Sequence, residues 1–496
     1  MSRPLPIAYA YDEEALGFGA PQGTPEAPSA GGEAGPLGYA ALAAIALGVL
    51  SFAAQLGGAP YAGTWVGFLS GLPLAALGAA AFFWASYRGT TPGIKHDGVF
   101  FGSMTGRGVL AWFTALGLTA FYVVLYWIPD PSAIAKRSPG ESFPERAWAW
   151  TLGWTSALFE RAIDTVDPLA RALGVGHADK WFLYGFLYTL AVLTFGGRML
   201  MKYRHSRYQQ VRTLSVMGFQ LGLAFLLPQL LKAARQPEFY FTYFWPLKPE
   251  YLFPGSLSGL YAKGGLPMFM AFWTVAASFV AVPVLTYFFG KRWYCSWVCG
   301  CGALAETLAD PYRQHMPTSK GAWRLERWLI HSVLVTIVVL TVALWLTRGS
   351  KAPWVGSFRA WYGFLIGAAF AGVIGVGFYP LLGGRAWCRF GCPQAAILGL
   401  FQRFFSRFRI TTNGGQCISC GNCSTYCEMG IDVRAYAQQG ENVVRASCVG
   451  CGVCAEVCPR GVLKLENGPT FKDRYPGAEN PARSFLSALT EGPTIP

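Results

Sequence analysis

Charge is scarce in this chain. Asp, Glu, Lys and Arg together make up 13% of its 496 residues, too few for a disordered or ordinary soluble protein of this size. Histidine is scarcer still. There are five, His96, His177, His205, His315 and His331, and no Cys-x-x-Cys-His run. A c-type haem is therefore excluded. A bis-histidine haem within the membrane is not expected, because only His331 falls in an apolar run. No cysteine precedes Cys295, which rules out a secreted disulfide framework across the first half. Residues Met1 to Pro36 lack a basic start and an apolar core, so no cleavable signal peptide is expected, only a disordered tail over residues 1–36. No phosphate-cradling glycine loop is present.

What the chain has in abundance is apolar and aromatic surface. Hydrophobic residues make up 53% and aromatic residues 16%. Apolar runs occupy Leu37–Leu56, Thr64–Tyr87, Val109–Ile128, Trp181–Leu200, Leu214–Leu231, Pro267–Phe289, Trp328–Leu346 and Trp361–Leu382. Each approaches the ~20 residues that cross a bilayer core as a helix. The expected fold class is therefore mainly α, a polytopic membrane protein with eight spans.

The net charge of +14 is not read as nucleic-acid binding, because the basic residues cluster between apolar runs. Arg88, Lys95 and Arg107 follow the second run; Lys202, Arg204, Arg207 and Arg212 the fourth. Lys291, Arg292, Arg313, Lys320, Arg324 and Arg327 follow the sixth; Arg385, Arg389, Arg403, Arg407 and Arg409 the eighth. With eight spans these regions share one side, and residues 57–63 opposite carry no basic residue. The positive-inside rule then puts both termini in the cytoplasm, in a bacterial-type inner membrane. On the outer side, the loop 130–180 repeats Trp150, Trp154 and Leu158 at helical spacing. It reads as an amphipathic helix, lying on the interface or packed on its neighbours. The outer loop Phe239–Phe253 is dense in aromatics and reads as an interfacial belt, with a quinone pocket or partner surface as the sharper reading.

Chemistry concentrates near the C-terminal end. Cys417, Cys420, Cys423 and Cys427 form a C-x2-C-x2-C-x3-C run, and Cys448, Cys451, Cys454 and Cys458 repeat it, followed by Pro459. That is the spacing of a two-cluster bacterial ferredoxin, in which the fourth cysteine of each run serves the other cluster. Cys417, Cys420, Cys423 and Cys458 are thus expected to hold one [4Fe-4S] cluster, and Cys448, Cys451, Cys454 and Cys427 the second. Zinc sites more often use two C-x2-C pairs per ion, separated by a longer loop. Glu428 stands where the first run would carry Pro.

A second repeat precedes this region. Gly290-Lys-Arg-Trp-Tyr-Cys295-Ser-Trp-Val-Cys299-Gly300 aligns with Gly383-Gly-Arg-Ala-Trp-Cys388-Arg-Phe-Gly-Cys392-Pro393. Arg292 matches Arg385, and each copy follows a predicted span. Cysteines at i and i+4 share a helix face, so the two pairs can supply four sulfurs to one iron–sulfur centre, copper(I) or zinc. The alternative is buried, unligated thiols. Arg292 and Arg385 either act on the thiols or anchor the chain at the membrane. Cys301 has no counterpart in the second copy. Other candidates are His331 as a proton acceptor, Glu306 and Asp310 beside the first cysteine pair, and Gln220 and Gln229 as bridges between helices.

Two helix-end C-x3-C pairs followed by a two-cluster ferredoxin region resemble the membrane polyferredoxins of the NapH, NosR and CcoG kind, over roughly residues 267–467. The resemblance implies an electron-transfer protein linking the quinone pool to a redox partner of a respiratory chain. Its alternatives are a copper-reducing or metal-handling assembly factor for an oxidase, and a structural subunit of a respiratory complex. Within it, a quinol dehydrogenase-type oxidoreductase component is one reading, with quinone as substrate. Gly300 departs from the Pro of the pattern, and residues 37–235 have no counterpart in it. The expected organisation is a tail over 1–36, spans one to five over 37–235, spans six to eight with the C-x3-C pairs over 236–408, a small α+β ferredoxin domain over 409–467, and a tail over 468–496.

Overall fold

The computed structural model describes residues 35–88, 106–127, 143–347, 353–412 and 416–467. The two expected tails, but for residues 35 and 36, and the start of the loop 130–180 lie outside them.

Among the described residues, eight helices are long and apolar enough to cross a membrane: Pro36–Leu56, Trp65–Tyr87, Val109–Trp127, Lys180–Lys202, Arg207–Ala233, Gly265–Phe289, Lys320–Leu346 and Gly356–Gly377. These are called spans one to eight. Each overlaps an expected apolar run. The seventh starts earlier than hydropathy suggested, because Ser319 caps it: its hydroxyl accepts from the Ala322 amide at 3.1 Å. Spans one and two approach closely through small residues. A methyl group on Gly48 would stand 2.5 Å from the Ala75 nitrogen, and one on Gly78 2.8 Å from that of Ile45. The helix Phe143–Asp164 precedes span four and leaves Trp154 exposed, and Arg161 ties it to the Leu56 carbonyl at the end of span one.

Past span six the chain does not leave the helical body. It turns at Gly290, forms the short helix Trp293–Trp297, breaks, and continues as Gly300–Thr307. The second copy does the same with Ala386–Phe390 and Pro393–Phe405. The ferredoxin region closes with a two-stranded antiparallel sheet, β1 (Phe408–Thr412) against β2 (Leu463–Asn467), with Ile410 opposite Leu465.

Spans five and six share one polarity marker. Tyr208, at the start of span five, donates to the Gly450 carbonyl, and Asn467 donates to the Phe288 carbonyl at the end of span six. Those two helix ends therefore face the ferredoxin region, and the connection between Ala233 and Gly265 lies on the far face. Its aromatic stretch departs from the belt expected of it. Instead of staying at the surface, it folds back into the body. The Tyr294 hydroxyl, beside Cys295, donates to the Thr242 carbonyl at 2.6 Å. Trp245 donates to Thr341 at 3.0 Å and stacks on Phe279, half-way along span six. Irregular backbone at such depth is tolerated where protein surrounds it.

Candidate iron–sulfur centres

In the ferredoxin region, Gly421 and Gly452 take positive φ values of 81° and 77° just after Cys420 and Cys451. Each turn lets three sulfurs of one loop face inward before a short helix begins. Cys417, Cys420, Cys423 and Cys458 line one cavity, together with Arg434 and Arg460. The second set is mutually close, for Cys454 feels Cys451, Cys448 and Cys427. The first set is the more open, with Cys420 exposed; in the second, Cys448 and Cys454 are buried.

The donor chemistry fits iron–sulfur clusters. Burial first, then neighbouring sulfurs, push the Cys423 thiol up to about 11. Burial likewise takes Cys427 and Cys451 up to about 12. Four mutually repelling thiolates in one buried place need a cationic core between them. No trio of Cys, His, Asp or Glu among the described residues could hold a metal ion by itself. A cluster at these cysteines would bring its own iron and sulfide between the thiolates.

The four C-x3-C cysteines also converge. All are buried in one cluster of side chains, and Cys295 feels Cys388, Cys299 and Cys392. Their local geometry corrects the expected shared helix face. Cys295 and Cys388 sit on the short helices, but Cys299 and Cys392 are the N-cap residues of the helices that follow, with extended backbone. A thiolate there faces helix amides and the positive end of the dipole. Hydrogen bonding from Cys301 is the main influence that lowers Cys299, whereas at Cys392, the matching N-cap, burial outweighs the Ala395 amide and pushes the thiol up.

The two copies are cross-braced by their matching arginines. Arg292 of the first donates to the Cys388 carbonyl at 2.9 Å; Arg385 of the second donates to the Cys295 carbonyl at 3.0 Å. Arg385 also lies 3.8 Å from the Cys388 sulfur. The Arg292 amide donates to the Cys448 carbonyl at 3.2 Å and Ser296 to that of Val449 at 2.8 Å, so the second ferredoxin loop sits directly on the first membrane motif. Gly302 is required by this packing: a methyl group there would stand 1.8 Å from the Cys295 carbonyl oxygen. Gly302→Ala is expected to displace Cys295 and loosen the packing of the two motifs, read as a lower melting temperature of the purified chain.

A layer of buried charge joins the two sites, and sequence reading missed it. Asp310 pairs with Arg198 at 2.7 Å, Lys202 at 2.9 Å and Arg313 at 2.6 Å. Glu428 pairs with Arg313 at 3.0 Å and Arg385 at 3.1 Å. Glu306 pairs with Arg212 and Arg385, and Glu326 with Arg389 at 2.7 Å. Burial works against the Glu428 carboxylate, but Arg385, Arg313 and Arg212 hold its pKa below the usual range. The same competition, won by Lys202, Arg198 and Arg313, holds Asp310 down.

Glu428, the residue that replaces Pro, therefore ties the ferredoxin region to the membrane motifs. Spans four and five contribute Arg198, Lys202 and Arg212, so the last two spans of residues 37–235 are built into the site. Around the cysteines, eight buried cations (Arg198, Lys202, Arg212, Lys291, Arg292, Arg313, Arg385, Arg389) face four buried acids (Glu306, Asp310, Glu326, Glu428). A buried excess of positive charge needs anionic occupants, and thiolate-ligated iron clusters are anionic. His331 is half-buried near Arg292 and Glu326, and Gln220 bridges spans five and four through Thr189 at 3.1 Å.

Comparison with known proteins agrees with this layout. A family described as a 4Fe-4S binding domain matches residues 271–319 and 365–411, which contain the two C-x3-C motifs. A 4Fe-4S dicluster domain matches residues 416–463. The methylamine utilization ferredoxin-type protein MauN of Methylobacillus flagellatus is 29% identical over 156 residues, 31% of this chain and 54% of that protein. The putative electron transport protein YccM of Escherichia coli is 26% identical over 159 residues, 29% of this chain and 43% of that protein. The chain thus spans about half the length of the curated relatives it matches. No solved structure matches it.

Proposed function

We propose that this chain, a multi-pass membrane 4Fe-4S protein of the ferredoxin-type electron-transport kind, relays single electrons between the quinone pool and a redox partner of a respiratory chain. Cys417, Cys420, Cys423 and Cys458 hold one cluster, and Cys448, Cys451, Cys454 and Cys427 the second. Cys295, Cys299, Cys388 and Cys392 hold a third centre, also iron–sulfur. Each bound cluster supplies a reversible one-electron couple.

The observation that carries this reading is the sequence of burial. Exposed Cys420 marks the end open to a soluble partner. Buried Cys448 and Cys454 come next, and the membrane cysteines lie beyond them. Arg292 touches both the Cys448 and Cys388 backbones, and Glu428 and Arg385 connect Cys427 to Cys388 by a second route. These side chains hold the ligand sets in fixed register and keep water out from between them. The basic loops of the sequence support a cytoplasmic ferredoxin side and cytoplasmic termini.

Replacing Cys295 and Cys388 with Ser tests the reading. Quinol oxidation by the purified protein is expected to fall to background while the ferredoxin clusters keep their EPR signals. Intact quinol oxidation with lost copper loading of an oxidase would point instead to a metal-handling assembly factor.

A further inference from the structure

The carboxylates of the ferredoxin region are turned inward or already engaged. Glu428 pairs with Arg313 and Arg385 of the membrane body. Glu456 accepts from Ser206 at 2.5 Å and lies 3.3 Å from the His205 imidazole, at the start of span five. Glu466 stands opposite Arg409 in the sheet. Asp432 caps the helix Val433–Gln439, accepting from the Ala435 amide at 3.3 Å, and from Ser424 at 2.8 Å. Glu441 is exposed, but it follows the C-terminal end of that helix, whose first turn carries Arg434.

Two cations of the region are not engaged in this way. Arg434 and Arg460 line the cavity of Cys417, Cys420, Cys423 and Cys458, and no carboxylate lines it. Among the described residues neither arginine pairs with an acid. A methyl group on Gly421, the residue after exposed Cys420, would lie 3.9 Å from the Arg434 guanidinium. Ile418, 38% exposed, adds an apolar patch to the same rim. The other loop is the one held by the spans, for Tyr208 and Gln209 of span five donate to the Gly450 and Cys451 carbonyls at 2.7 Å each. A thiolate-ligated cluster is anionic, and at a solvent edge it repels a carrier whose own surface is acidic. Two unpaired guanidiniums on the rim reverse that field where a partner approaches, and each can take a carboxylate through two parallel hydrogen bonds. Cations that served only to tune the cluster would be buried, as Lys291 and Arg292 are beside the second loop, because solvent and salt screen exposed ones.

We propose that the soluble redox partner is an acidic protein with a one-electron cofactor near its surface, and that it docks on Arg434 and Arg460 over Ile418 and Cys420. Carboxylates of the carrier pair with the two guanidiniums, and its cofactor comes to rest against the outer cluster. One electron then passes between cofactor and cluster; one is oxidised, the other reduced, and no bond forms or breaks. This names the partner of the relay proposed above and rests on its outer cluster, but not on the third centre or on quinone.

The test is stopped-flow reduction of the purified full chain by two donors, flavodoxin hydroquinone, an acidic protein, and the methyl viologen radical, a small cation. Reduction by flavodoxin is expected to slow steeply as salt rises, and to slow roughly tenfold at low salt when Arg434→Glu and Arg460→Glu are combined. Methyl viologen is expected to reduce that variant at least as fast as the original chain. Arg434→Lys with Arg460→Lys, which keeps both charges, is expected to restore most of the flavodoxin rate. Equal slowing with both donors would mean that the arginines set the potential of the cluster and not its docking, and would overturn the proposal. So would a flavodoxin rate that ignores salt or is unchanged in the double Glu variant. An unchanged flavodoxin rate with weakened binding to vesicles of anionic phospholipid would assign the two arginines to a membrane surface instead. Failure of both donors to reduce the unaltered chain, or absence of the outer cluster's EPR signal from it, would defeat the relay itself.

Discussion

Arg385→Met is expected to release the ferredoxin region from the membrane motifs. Arg385 is fully buried and serves Glu306, Glu428 and the Cys295 carbonyl at once. Methionine fills much of the same volume but leaves two buried carboxylates short of a partner. Removing one member of a buried ion pair costs roughly 3–5 kcal/mol. Arg212 and Arg313 remain on the two acids, so the loss should sit near the lower end of that range. The readout is limited proteolysis between Phe405 and Phe408, with the melting temperature alongside. Faster cleavage and a lower melting temperature are expected. Adding Glu428→Gln should recover part of the loss, because one stranded charge then disappears. The depressed pKa values of Glu428 and Asp310 give the pH dependence its sign. Their contribution is fully present above the ordinary carboxylate pKa, and is lost only as the pH falls through the lower folded-state values. Docking should therefore persist through mildly acid conditions and fail in strong acid.

Glu428→Gln alone is expected to shift the redox potential of one cluster as well as weaken docking, because it leaves Arg313 and Arg385 short of a buried partner. The glutamate adjoins Cys427 and neutralises part of the charge on Arg313 and Arg385. Glutamine keeps the shape and removes the negative charge. The positive field at the second cluster then grows, which favours its more negative, reduced form. Its midpoint potential should rise by tens of millivolts, since ~59 mV corresponds to a tenfold change for one electron. The cluster at Cys417, Cys420, Cys423 and Cys458, further from this layer and open to solvent, should move much less. A redox titration followed by EPR separates the two. Equal shifts in both clusters, or a fall in the second, would contradict the assignment of Glu428 to the second cluster.

The spans were legible because each is a long apolar run, and hydropathy needs no tertiary information. The ferredoxin region was legible because x2 spacing is a local constraint. The C-x3-C pairs were recognised as a repeat, but their shared helix face was not found, for the chain breaks between the two cysteines at Val298 and Gly391. Spacing alone cannot distinguish a continuous helix from a cysteine that caps the next one. The far-face aromatics misled for a related reason. Composition gives Tyr240, Tyr243 and Trp245 the character of an interface, and only tertiary contacts, such as the Tyr294 hydrogen bond to Thr242 and that of Trp245 to Thr341, reveal that the loop turns inward.

The charge layer was the least legible feature. Arg198, Glu306, Asp310, Arg385 and Glu428 are far apart in sequence, and their pairing exists only in the folded body. Several arginines counted towards membrane orientation, Arg212, Arg292, Arg313, Arg385 and Arg389 among them, are fully buried there. Glu428 did leave a trace, as a carboxylate where the repeat calls for proline.

The most direct test is an iron count with EPR on the anaerobically purified chain. The layout predicts about twelve irons, in three cubic clusters with distinguishable signals. A colourless, iron-free protein, or a brown one whose iron is unaffected when all eight ferredoxin cysteines are replaced, would contradict it.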